Sequence, residues 1–210
     1  MLSGIYSTKM SLKTFLFPLP NISLQIGSHK PLNIYEPRYL QMVEDSINQE
    51  IPISLVFAKT QFEVGDQEIP HEIFHFIKPI TGLGHPRMIS RNIDGSVIIM
   101  LPGEYKGRIT KVLKSDTPYI ICEYEKIEEV QKLRNENILL LRNLQLELEE
   151  WISKSIDLTD QRDILRTELS EAGRIVGLYT EFIVMNPEAR QKVLEMDNIN
   201  EKIHFLALNG

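Results

Sequence analysis

At Ile127 the spacing of the apolar residues changes, and no single kind of secondary structure serves both sides of that point. Before it, short apolar runs recur between turn signals, at residues 15–19, 51–58, 97–101, 109–113 and 119–124. Ten of the eleven prolines lie before residue 128, a density that suits strands and turns and disfavours long helices. After it, Leu133, Leu140, Leu141, Leu144, Leu148, Trp151 and Ile152 recur at threes and fours, with charged residues filling the other positions. The spacing predicts an α+β chain: a β-rich subdomain over residues 13–127 and a helical subdomain over residues 128–210.

Within the β-rich subdomain, Asn92-Ile93-Asp94-Gly95 separates two apolar runs, and Asp-Gly tolerates positive φ, so a tight reversal is expected there. A single embedded helix is expected over residues 37–48. Pro37 suits its first position, and Tyr39, Leu40, Val43 and Ile47 form its apolar face. Arg38 falls in the first turn, where the helix dipole disfavours a cation, and therefore calls for a carboxylate or carbonyl partner. In the helical subdomain a long helix is expected over residues 129–155, interrupted in its stripe only by Asn137. Asp157–Asp160 breaks it. Further helices are expected over 161–168 and 171–185, then a segment opened by Pro187, and a last helix carrying Ile203, Leu206 and Leu208.

The bulk numbers exclude several classes. No apolar stretch is long enough to span a bilayer, and residues 1–10 lack the basic start and apolar core of a secretion signal. Residues 1–12 read as a disordered N-terminal extension, with Met10 as a second candidate start. The single cysteine, Cys122, lies in an alternating run and reads as a buried, inert thiol. These features point to the cytoplasm. Residues 1–127 carry 13 Lys+Arg and 13 Asp+Glu, whereas residues 128–210 carry 10 and 16, so the whole net charge of −6 belongs to the helical subdomain. That half repels a phosphate backbone, and neither nucleic acid nor membrane is an expected partner.

Three blocks carry a resemblance. The first is Pro31-Leu32-Asn33-Ile34-Tyr35-Glu36-Pro37-Arg38-Tyr39-Leu40-Gln41-Met42-Val43, preceded by Phe17-Pro18-Leu19. The second is Thr81-Gly82-Leu83-Gly84, then Asp94-Gly95, Leu101-Pro102-Gly103 and Gly107-Arg108-Ile109. The third is residues 190–197, Arg-Gln-Lys-Val-Leu-Glu-Met-Asp. In this order they resemble the N-terminal, substrate-binding domain of Lon proteases, over about residues 13 to 208. Two positions depart from that pattern: Gln25-Ile26-Gly27-Ser28 stands where the family has a Pro-Gly turn, and Lys202-Ile203 stands where its closing helix begins Arg-Leu. The resemblance implies a PUA-like β pseudo-barrel followed by a helical bundle, and a role in holding protein substrates for a protease. Pro31, Leu32, Glu36, Pro37, Arg38 and Tyr39 are expected to fix the strand-to-helix junction rather than to bind.

The sequence carries no Gly-x-x-x-x-Gly-Lys-Ser/Thr loop to cradle phosphates, and with Gly210 as its last residue neither the ATPase nor the Ser–Lys peptidase domain of a full Lon is expected. Ser153-Lys154 sits in an exposed helical pattern that offers neither an activated lysine nor an oxyanion hole. His71-Glu72-Ile73-Phe74-His75 matches the zinc-protease pattern His-Glu-x-x-His, which works only from a helix that aims both histidines at one metal. Pro70 and Pro79 bracket a dense β-prone run there, so a surface strand or loop is expected, and neither His85 nor Asp94 sits in a ligand motif. The expected function is thus a non-catalytic, stand-alone protein-binding module without cofactor or metal. It would recognise exposed apolar segments of proteins or unfolded peptides, with a separate protease among its candidate partners. The alternatives are a zinc-dependent hydrolase built on His71, Glu72 and His75, and a PUA-like nucleic-acid binder. Apolar surface between the two subdomains is the expected contact zone, with basic-apolar clients preferred over acidic ones.

Overall fold

The computed structural model describes residues 12–59 and 73–209. The expected N-terminal extension, apart from Leu12, and His71-Glu72 of the His-Glu-x-x-His match lie outside the described residues.

All five of the apolar runs become strands. β1 (Leu12–Pro20) leads, by way of β2 (His29–Ile34), into helix α1 (Pro37–Gln49) and then β3 (Ile53–Ala58). After the one-turn helix α2 (Ile73–Phe76) come β4 (Ile80–Gly84), β5 (Arg87–Arg91), β6 (Val97–Pro102), β7 (Tyr105–Leu113) and β8 (Ile120–Ile127). β1, β3, β4, β7 and β8 close into a barrel, and β2, β6 and β5 form a separate three-stranded antiparallel sheet. β1 pairs parallel with β3, and the remaining barrel pairs are antiparallel.

Side-chain alternation divides the apolar residues of β1 and β3 between two cores. Leu16 and Val56 face the barrel interior with Leu83, Ile109, Cys122 and Tyr124. Phe15, Phe17, Ile53 and Leu55 face outward, where α1 and the inner face of the second sheet, through Val97, Ile99 and Leu101, cover them. A strand buried on both faces needs a nearly continuous apolar run, which 53–58 supplies apart from Ser54, whose buried hydroxyl donates to the Phe15 carbonyl. The reversal at residues 92–96 is present: Gly95 adopts φ +85°, and Asp94 accepts from the backbone N–H and hydroxyl of Ser96. At Gly84 a Cβ would lie 1.8 Å from the carbonyl oxygen of Pro102, so only glycine lets β4 approach the end of β6.

Several expectations are corrected. The segment after residue 72 is a helical turn, not a strand, so the β-rich subdomain embeds two helices rather than one. Its apolar residues are not equivalent: Ile73 and Ile77, four apart, plug the barrel, while Phe76 is exposed. The face of α1 is rotated toward Met42 and Ser46, and Ile47 is left 43% exposed. The slot between β1 and the second sheet sets that rotation, and the buried Ser46 hydroxyl is satisfied by donating to the Ile51 carbonyl at 2.6 Å.

The long helix, α3 (Ile138–Ser155), starts nine residues later than its stripe predicts. Residues before it are held extended by distant partners: Val130 N–H donates to Asp197 O, and Ile199 N–H donates to Val130 O. Asn137, the break in the stripe, is the buried residue at the helix start, and its side chain donates to Asn200. α4 (Thr159–Thr167), α5 (Ala172–Phe182), α6 (Pro187–Glu195, capped by Asn186) and α7 (Ile199–Asn209) complete the chain. Leu141, Leu144, Leu148, Ile152, Ile175, Tyr179, Ile203 and Leu206 form their common core, while Leu208 is exposed.

Candidate functional site

The β-rich and helical subdomains meet through buried polar groups rather than an apolar seam. Lys106, on β7, has no exposed side-chain surface; its ammonium contacts Glu129, Asp197 and the Met196 carbonyl, each at 2.7 Å. Lys202, on α7, reaches the same Glu129 oxygen at 2.6 Å. Burial holds the Lys202 amine below the usual lysine range, and Glu129 opposes that shift. Gln191 donates to the Ile80 carbonyl, Gln25 donates to the Arg190 carbonyl, and Lys30 pairs with Glu181 at 2.5 Å. Gly177 lets α5 lie against the loop after β1, since a Cβ there would meet the Ile26 carbonyl oxygen at 2.1 Å. Lys30, Lys106 and Glu129 did not stand out in the sequence, and Gln25, Gln191, Asp197 and Lys202 were noted only for the resemblance and not as a buried network, because a lone lysine or glutamate in a strand or linker reads as solvated until its distant partner is known.

Beside this junction lies a crevice of about 390 Å³, walled by His29, Arg87, Glu104, Gln131, Glu171 and Arg174. Burial, with Arg174 and Arg87 nearby, holds the His29 imidazole below its ordinary value. Arg174 is paired with Glu168, and Glu104 with His85. The side chains lining this crevice are mostly charged or polar, unlike the apolar contact zone expected between the two subdomains. The larger exposed apolar side chains sit mostly elsewhere: Met88 and Ile89 on β5, Ile93 in the reversal after it, Ile47 on α1, Leu139 and Leu146 on α3, and Leu158 and Ile164 about α4.

The first sequence block runs along β2 into α1. Pro31 and Pro37 are exposed, Leu32, Glu36 and Arg38 are half-buried, and Tyr39 is buried against Phe17 at a ring distance of 4.5 Å. Arg38 has a carboxylate partner, Glu36, at 2.6 Å, and its guanidinium lies over the Tyr39 ring. His75 is exposed on α2, His85 contacts Glu104 at 2.7 Å, and Asp94 is used by the reversal before β6. Among the described residues no group of three or more His, Cys, Asp or Glu side chains is placed to hold a metal ion. Ser153 donates to the Glu149 carbonyl, and Lys154 pairs with Glu150, both exposed on α3. Cys122 is fully buried, and burial pushes its thiol up to about 12. No helix among the described residues is long and apolar enough to cross a membrane.

The comparisons place this architecture. The family described as the ATP-dependent protease La (LON) substrate-binding domain matches residues 13–207. Among individual proteins, a Lon protease of Syntrophomonas wolfei is 22% identical over 91% of this chain and 22% of its own length. Lon protease 2 of Bdellovibrio bacteriovorus is 25% identical over 84% of this chain and 21% of its own. The chain therefore spans about a fifth of the length of these relatives. Among solved structures, a Lon N-terminal domain protein from Xanthomonas campestris superposes with a TM-score of 0.63 at 20% identity, covering 95% of this chain and 98% of that one. The N-terminal domain of Mycobacterium avium complex Lon protease gives 0.64 at 12% identity, covering 92% and 95%. At these identities the structures speak for the fold alone, and it is the family match, spanning nearly all the described residues, that makes this chain a member of the Lon substrate-binding domain family.

Proposed function

We propose that the chain is a non-catalytic protein-binding module that captures exposed apolar segments of unfolded or partly unfolded proteins. The observation that carries this reading is the family match over residues 13–207, which falls wholly on the substrate-binding region of Lon. Exposed apolar side chains on the β-rich subdomain, at Ile47, Met88, Ile89 and Ile93, supply contact surface of the right character. Behind them the β-rich and helical subdomains are joined by the buried Lys106–Glu129–Lys202 contacts.

Capture without driven release calls for modest affinity, in the micromolar range or about −8 kcal/mol. A few apolar side chains, each contributing roughly 1.5–3 kcal/mol before association costs, supply that. Titration of labelled apolar peptides of matched length, at low and high salt, tests the reading. Saturable micromolar binding is the expected result; no binding of any apolar peptide at high micromolar concentration overturns it.

A further inference from the structure

The reversal between β5 and β6 carries Asp94-Gly95, the one Asp-Gly pair of the chain. Such a pair is chemically labile. Glycine has no Cβ, so its backbone nitrogen can close on the carboxyl carbon of the aspartate before it. Gly95 N bonds to Asp94 Cγ, and one carboxyl oxygen departs as water with the carboxyl and amide protons. Water then opens the cyclic imide. Addition at Cγ restores aspartate. Addition at the main-chain carbonyl carbon of Asp94 leaves the chain running through Cβ and Cγ, an isoaspartate. Mass and oxidation state are unchanged, but the backbone gains one atom. Asp94 is exposed, and nothing lies within 4 Å of where a Gly95 side chain would stand, so crowding does not protect the pair.

Hydrogen bonds hold both reacting groups instead. Asp94 Oδ1 accepts from the Ser96 backbone N–H at 3.0 Å and from the Ser96 hydroxyl at 2.7 Å. The Gly95 N–H donates to the Asn92 carbonyl at 3.1 Å, so ring closure requires that bond to break. The Ser96 hydroxyl is itself oriented: Asn92 Nδ2 donates to its oxygen at 2.9 Å, which leaves the hydroxyl proton for Asp94. Ser96 is buried, so water competes little for that proton. The hydroxyl first, and then the N–H, hold the Asp94 carboxyl below the usual carboxylate range. An ionised carboxylate is a poor target for a nucleophile and a poor source of a leaving water.

We propose that Asp94 is a site of isoaspartate formation gated by Ser96, closed while the serine hydroxyl holds the carboxylate and open when the turn unfastens. The gate is local: releasing it needs only the few hydrogen bonds of residues 92–96, not the unfolding of either subdomain. The product has a structural consequence. An added backbone atom at residue 94 disturbs the bond from the Asn92 N–H to the Ser96 carbonyl, 2.8 Å in the closed turn, beside the start of the β5–β6 pairing. This inference does not depend on client capture.

The parent chain, Ser96→Ala, Ser96→Thr and Asn92→Ala are incubated together below their unfolding transitions, beside the parent in urea. Isoaspartate at residue 94 is read by peptide mapping, because Asp-directed cleavage fails there, and by enzymatic methylation of isoaspartyl carboxyls. Circular dichroism shows which chains are folded at the incubation temperature. The parent is expected to isomerise slowly and the urea-unfolded chain fastest. Ser96→Ala loses a hydrogen bond to a charged group and is expected to isomerise roughly tenfold faster than the parent or more. Ser96→Thr keeps the hydroxyl and is expected to return toward the parent rate, with Asn92→Ala between the two. A parent chain that isomerises as fast as the unfolded one overturns the proposal. So does a folded Ser96→Ala no faster than the parent, and so do equal rates for Ser96→Ala and Ser96→Thr, which would place the effect outside the hydroxyl. Should Ser96→Ala not fold, the exposed Asn92→Ala decides: a rate equal to the parent's overturns the gate.

Discussion

Glu129→Gln isolates the contact that joins the two subdomains of the molecule. The substitution keeps the shape of the side chain and removes the charge shared by two lysines, whose side chains are 0% and 5% exposed. Breaking a buried ion pair by removing one partner costs about 3–5 kcal/mol, because the remaining charge is left uncompensated. Lys106 keeps Asp197 and the Met196 carbonyl, whereas Lys202 loses the one carboxylate in contact with it, so the low end, about 3 kcal/mol, is expected. For a chain of this size that corresponds to a fall in Tm of roughly 6–12 °C. Asp197 is 62% exposed, and Asp197→Asn is expected to cost only about 1 kcal/mol. Burial already lowers the Lys202 pKa, so an amine that has lost its carboxylate neutralises at lower pH still. The unfolded chain then binds more protons than the folded one up to the ordinary lysine value, and the deficit of the variant narrows as pH rises. Urea denaturation followed by circular dichroism, at neutral and alkaline pH, measures both. A Glu129→Gln protein within about 0.5 kcal/mol of the parent at neutral pH refutes the reasoning.

Other predictions concern local geometry and titration. Gly84→Ala forces a Cβ against the Pro102 carbonyl and should cost about 3 kcal/mol or more, while Gly95→Ala, in open space at φ +85°, should cost about 1; equal denaturation midpoints for the two would contradict this. The Cys122 thiol should resist alkylation in the folded chain and react fully once unfolded, and rapid stoichiometric labelling of native protein would refute it. Stability should fall as pH rises above 9.0, because burial raises Cys122 from that value and Tyr39, Tyr105, Tyr119, Tyr124 and Tyr179 from 10.0. The folded state then holds protons that the unfolded chain has lost, so this contribution is complete below the unfolded values and disappears as the folded ones are approached. An unchanged denaturation midpoint across that range, for the parent and for Cys122→Ala alike, would count against it.

Periodicity and turn chemistry act over a few residues, and what depends on them was legible in the sequence by itself. The runs that became β1, β3, β6, β7 and β8, the reversal at Asp94-Gly95 and the burial of Cys122 all follow from neighbours close along the chain. The block from Pro31 to Val43 was enough to indicate the family. Tertiary structure alone decided the rest. Residues 128–134 carry a piece of a helical stripe, yet Asp197 and Ile199 hold Val130 extended, because hydrogen bonds to a distant strand-like segment outweigh a weak local preference. The rotation of α1 was set by the slot it fills, and Ile47 was turned outward. Lys106 looked like any solvated strand lysine until the fold brought Asp197, 91 residues on, into contact with it.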